Sequence, residues 1–156
     1  ILNLKPDLLG NVNGDIKFIF NNIEHELVRS GNISLNINQK TINLIEVLFN
    51  IGEIGQIESE IKYNEENGDL IFHSLNSLII KNKKEFAKKF QVKLKKVKDI
   101  NVIRFKVEKN INTGLISIFD IKINELLYMD KNQGESRYNI KNSQELKSLV
   151  KNIINS

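Results

Sequence analysis

The sequence predicts a mainly β protein: one long, twisted antiparallel sheet, curled into a groove or closed like a sandwich, with two helices. Three observations predict it. Apolar and polar residues alternate at a period of two along most of the chain, as they do in a sheet with unlike faces. Turn residues separate the alternating runs at a spacing of about ten residues, which suits an antiparallel meander. Only two segments, 82–91 and 142–155, change to a helical period. No strand–helix alternation of the parallel α/β kind is present.

The elements follow in order. Ile16, Phe18 and Phe20 alternate with Lys17 and Ile19 after the turn residues Asn13 and Gly14. Ile33, Leu35 and Ile37 alternate with Ser34, Asn36 and Asn38 after Ser30-Gly31-Asn32. Ile42 and Leu44 keep one phase, and Val47, Phe49 and Ile51 keep the other, so a bulge or bend is expected near Ile45-Glu46. Gly52 and Gly55 flank Ile54 and predict a kink between strands. Ile57, Ser59, Ile61 and Tyr63 follow, then Leu70 and Phe72. Between them lies Glu66-Asn67-Gly68-Asp69, where Asn-Gly accepts the positive φ that a type I′ hairpin turn needs. This first meander is expected over 13–80, and further strands over 92–127. Among the latter, Ile103, Phe105 and Val107 oppose Arg104, Lys106 and Glu108 in phase. Asn112-Thr113-Gly114 reads as a hairpin turn, and Leu115, Ser117, Phe119, Ile121 and Ile123 as one unbroken register.

The two helices have their own signals. Phe86 and Phe90 stand four apart with Ala87 beside them, and Asn82 followed by Glu85 resembles a capping box. Leu146, Leu149, Val150 and Ile153 repeat at helical spacing after Asn142, again with a Glu, Glu145, three residues on. The stretch from Tyr128 to Arg137 reads as a polar loop. The whole of 1–156 is expected to form a single β-rich domain. Because the chain opens at Ile1 and its one Met is Met129, it reads as the C-terminal part of a longer protein.

Composition excludes several chemistries. With no cysteine there is no disulfide, thiol nucleophile or cysteine metal site. No run approaches the roughly 18 apolar residues of a membrane-spanning helix. Ile, Asn and Lys dominate as an AT-rich genome would favour, so the preference of Lys over Arg carries little chemistry by itself. There is no glycine-rich phosphate loop and no nucleophile elbow. His25 stands between Glu24 and Glu26, and His73 follows Phe72 on the opposite phase; neither has zinc-ligand spacing. Glu58 and Glu60 alternate with Ile57, Ser59 and Ile61, so water solvates them on the outer side of a strand. The expectation is a protein with no catalytic residue, no metal and no cofactor.

Two features remain. Lys81, Lys83, Lys84, Lys88, Lys89, Lys93, Lys95, Lys96 and Lys98 crowd one short stretch. In the plainest reading Phe86 and Phe90 cap one end of the sheet and the lysines are solvated. The functional reading lays Lys83, Lys84, Lys88 and Lys89 on an anionic membrane surface. Nucleic acid is the least favoured partner, since the stretch lacks Arg, the best reader of bases. The second feature is the alternating apolar face. Ile16, Phe18, Phe20, Ile33, Leu35, Ile37, Ile57 and Ile61 are expected to share one concave face, either as a filled core or as a groove for acyl chains. Periodicity does not separate these, because both want the same side chains facing inward.

The stretch 10–91 resembles the C-terminal region of AsmA-like proteins from AT-rich alphaproteobacteria, the superfamily of AsmA, YhdP and TamB. The residues that carry the resemblance are Gly14-Asp15-Ile16-Lys17-Phe18, Val47-Leu48-Phe49-Asn50-Ile51-Gly52 and the run from Gly55 through Tyr63. Asn67-Gly68-Asp69-Leu70-Ile71-Phe72-His73-Ser74 and Phe86 with Phe90-Gln91 complete it. These are strand-and-turn motifs covering about half the chain. The resemblance implies a periplasmic envelope protein, tethered to the inner membrane through an upstream segment, whose β-groove passes phospholipid toward the outer membrane. Phospholipid or another envelope lipid is the expected partner, with envelope proteins as further candidates. It implies no catalytic residues. The competing readings are a structural or protein-binding β-domain with a filled core, and a basic nucleic-acid module.

Overall fold

A computed structural model describes residues 13–24, 27–38, 41–66, 69–127 and 137–155. The protein is mainly β: the described residues form a nine-stranded antiparallel sheet that does not close, with three helices. The strands run β1 (Gly14–Phe20), β2 (Ser30–Asn38), β3 (Thr41–Asn50), β4 (Gly55–Glu66) and β5 (Asp69–Ile80). Then follow α1 (Lys83–Phe90), the short α2 (Leu94–Val97), β6 (Val102–Asn110), β7 (Ile116–Ile123), β8 (Leu126–Leu127), β9 (Tyr138–Ile140) and α3 (Ser143–Asn155). Strands β1 to β8 lie side by side in chain order, and β9 pairs with β7. Most neighbouring strands meet through short connections, while β5 and β6 are joined through α1 and α2, so the meander follows largely from its turns.

The turns and irregularities account for the sheet's shape. The expected slip at Ile45-Glu46 is present: Ser34 pairs with Glu46 but Leu35 pairs with Leu44, leaving one extra residue in β3. Gly52 to Ile54 form a 3-10 turn, and Gly55 adopts φ +151 with its Cα against the backbone of Ile79, where a side chain has no room. Gly114, at φ +73, closes the β6–β7 hairpin. Asp69 accepts hydrogen bonds from Nδ2 of Asn110 and of Asn112, both at 2.8 Å, and so ties that hairpin to the start of β5. The Asn67-Gly68 turn lies outside the described residues; the strands on either side of it pair up to Glu66 and Asp69.

Three expectations are corrected. Ser30-Gly31-Asn32 is the first part of β2 and not a turn, because the chain has already come back on itself by Arg29, whose carbonyl accepts from the N–H of Ile23 at 2.8 Å. Residues 92–101 are not strand: Val92, Val97 and Ile100 are buried at irregular spacing around the turn of α2. The register of β7 is not unbroken. Phe119 pairs with Lys106 and Lys122 with Arg104, so two residues, Asp120 and Ile121, oppose the single Phe105. Asp120 takes φ 50 at this bulge. Ile118, Ile121 and Ile123 therefore face the core, and Ser117 and Phe119 face the other way.

Both longer helices are capped as the sequence predicts. The Asn82 side chain accepts from the backbone N–H of Lys84 (3.1 Å) and of Glu85 (3.2 Å). Asn142 accepts from the N–H of Gln144 (3.0 Å) and of Glu145 (2.9 Å), while the Glu145 carboxylate accepts from the N–H of Lys141 (2.8 Å). The principal core sits where α1 and α3 meet the sheet. Phe86, Phe90, Val97, Leu149 and Ile153 pack there with Leu78, Ile103, Ile118 and Ile121. Each such aliphatic side chain contributes roughly 1.5–3 kcal/mol on burial.

Candidate functional site: the uncovered apolar face

Opposed residues in an antiparallel pair project to the same face. The register therefore defines rows across the sheet. One row runs Phe20, Gly31, Phe49, Ile57, Leu78, Ile103. The next runs Phe18, Ile33, Val47, Ser59, Asn76, Phe105. This is the face on which α1 and α3 lie, called here the inner face.

The helices cover only part of it. Over β5 to β7 they seal the face, leaving an apolar cavity of about 90 Å³ among Leu78, Phe90, Ile103, Phe105, Leu149 and Ile153. That is smaller than the roughly 150 Å³ that admits benzene, so a lipid chain does not fit. Over β1 the face meets solvent. Ile16 is 38% and Phe20 39% exposed, Phe18 is half-buried, and the Phe18 and Phe20 rings stack with centroids 6.5 Å apart. Between these regions Leu35 and Val47 are buried, yet they stand outside the principal core.

Two details shape the boundary. Gly31 lets the Phe49 ring lie across β2: a Cβ there would stand 2.6 Å from Phe49 Cδ1 and 2.8 Å from the Leu48 carbonyl oxygen. Ser59 and Asn76 then interrupt the apolar row with a polar seam. The Ser59 hydroxyl donates to Asn76 Oδ1 at 2.7 Å, and Asn76 Nδ2 donates to Ser74 Oγ at 2.9 Å. Burying these groups is tolerable because they satisfy one another.

The eight face residues named from the sequence thus divide. Ile16, Phe18 and Phe20 form the exposed strip. Ile33 and Ile61 are half-buried, and Leu35 is buried. Ile57 packs against the helix-covered core. Ile37 pairs with Gly14 in the register, but its side chain lies outside the described residues. Periodicity missed Phe49, Gly31 and the Ser59–Asn76 seam as a unit. The in-phase polar residues Ser59, Ser74 and Asn76 were its signal.

The other named residues sit elsewhere. Phe86 and Phe90 are buried with ring centroids 4.6 Å apart, so α1 turns its apolar stripe into the core and not toward a membrane. Lys84 and Lys88 are exposed, and Lys89 is partly buried. Lys83 donates to Asn101 Oδ1 at 3.1 Å and to the Ile80 carbonyl at 3.3 Å, and burial lowers its pKa against the opposing pull of Asp99. His73 lies on the polar outer face with Nδ1 3.6 Å from Glu108 Oε1, and Glu108 also pairs with Arg137. The Arg137 guanidinium lies 4.7 Å from the centroid of the Phe119 ring. Glu58 is exposed and accepts from Gln56 Nε2 at 2.7 Å. His25 lies outside the described residues. Among the described residues no cluster of three or more His, Asp or Glu could hold a metal ion, and no helix is long and apolar enough to cross a membrane.

No family model matches the chain, and no curated protein or solved structure matches it either.

Proposed function

We propose that this chain is a non-enzymatic module that holds lipid on the uncovered part of its inner face and takes part in lipid handling between the inner and outer membranes. One observation carries the reading: Ile16, Phe18 and Phe20 form a solvent-exposed apolar strip on the same face that elsewhere needs two helices to cover it. A phospholipid acyl chain along this strip would remove its apolar surface from water. The AsmA-like resemblance adds the envelope setting, and on that basis we assign the module to the periplasm, tethered to the inner membrane through an upstream segment.

Native mass spectrometry of gently purified protein tests the reading. Phospholipid that stays bound, and that is lost on Phe20→Glu, supports it; protein that carries no lipid and takes up none from detergent-dispersed phospholipid sinks it. A second reading, a protein-binding β-domain, draws on the burial of Leu35 and Val47 outside the principal core. A partner recovered by crosslinking through β1, in the absence of lipid, would favour it.

A further inference from the structure

We propose that the turn at residues 93–98 docks the protein onto an anionic lipid bilayer, with Leu94 as the inserted side chain and the lysines beside it as the electrostatic contact. The turn is held to the core from one side only. Val92 is 8% exposed and Val97 fully buried, and these two fix the segment on the α1–α3 layer. Leu94, between them, is turned out and 45% exposed, and Lys93, Lys95, Lys96 and Lys98 are all exposed around it. A single aliphatic side chain in water needs no explanation by itself. Its position at the centre of the most basic segment of the molecule is what points to a partner.

The charge distribution supports an anionic partner. Residues 81–99 hold nine lysines against Glu85 and Asp99, a balance of +7 in a chain whose total is +4, so the remainder carries −3. The net positive charge of the protein is thus concentrated in this one segment, and the rest of the chain is acidic. Lysine bias from base composition would spread lysines along the chain and does not account for this segregation. A bilayer suits the segment better than a nucleic acid. The stretch has no Arg to read bases, and its aromatics, Phe86 and Phe90, are buried and cannot stack on them. An exposed Leu ringed by lysines combines the two weak signals, insertion and charge, that surface-bound proteins use together. None of these residues belongs to the apolar strip on β1, so the docking stands or falls apart from the groove reading.

Sedimentation of the full chain with vesicles tests it, comparing phosphatidylcholine alone with phosphatidylcholine doped with phosphatidylglycerol, at low and high salt. Binding is expected to the doped vesicles only and to weaken with salt. Each lysine near an anionic surface raises partition roughly fivefold, so reversing Lys93, Lys95 and Lys96 to Glu together should lower it by about a hundredfold or more. Leu94→Ser should lower it about threefold to tenfold without changing the salt dependence. The chain has no Trp, so Leu94→Trp supplies a unique reporter whose emission should shift to the blue on doped vesicles. Unchanged melting temperatures would show that the variants fold. Binding that survives the lysine reversal, or a Trp at 94 with no blue shift, overturns the proposal. So does binding to duplex RNA that depends on these lysines while doped vesicles stay unbound.

Discussion

Strands β2 and β6 carry nearly the same alternation, yet they end in different surroundings. Ile103, in β6, is buried in a core completed by Phe90, Leu149 and Ile153, with Phe105 and Val107 packed against it. In β2, Ile33 stays half-buried and Leu35 is buried apart from that core, while their neighbours on β1 meet solvent. The difference lies in where the helices fall along the chain. Helix α1 begins at Lys83, directly after β5 ends at Ile80, and α3 follows β9, which pairs with β7. Short connections make each helix cover the strands beside its own start. An apolar face in a sheet is therefore only an offer of a surface, and what accepts it depends on what the chain places nearby.

The comparison can be broken by substitutions on its two sides. Phe86→Ala, which empties a fully buried site against Phe90, should cost about 3–5 kcal/mol and lower the thermal midpoint sharply. Leu149→Ala should cost about 2–5 kcal/mol; an unchanged midpoint would mean that α3 is not docked. Gly31→Ala forces a methyl against Phe49 and the Leu48 carbonyl, and overpacking of this kind costs about 1–3 kcal/mol. A loss as large as that of Phe86→Ala would show that the two regions fold as one tightly coupled unit. The smallest effect is expected at the exposed strip: Ile16→Glu should change stability by no more than about 0.5 kcal/mol, while removing bound phospholipid in native mass spectrometry. If it unfolds the protein instead, the strip is a closed core and the contrast between the two regions disappears.

Much of the fold was legible before any coordinate. The phase slip at Ile45-Glu46, the Gly114 turn, both Asn caps and the meander order all follow from local chemistry. The break in β7 was not legible, because Leu115, Ser117, Phe119, Ile121 and Ile123 alternate without fault and only the positive φ of Asp120 moves Phe119 to the outer face. The strand expected from residue 92 failed for a related reason. Val92, Val97 and Ile100 are apolar because α1 and α3 need partners there, and not because they line a pleat.

For the candidate site, the alternating pattern by itself put Ile16, Phe18 and Phe20 on one face of their strand, and likewise Ile33 with Leu35 and Ile57 with Ile61; the pairing register then joined these sets on a common face. Which of them meet water was decided only by tertiary structure. Exposure depends on what lies across the sheet, and the helices that cover Ile57 are distant from it in sequence. The same holds for the lysine segment. Its charge is written in the sequence, but that Phe86 and Phe90 turn inward while Leu94 turns outward follows from how α1 and α2 seat on the core.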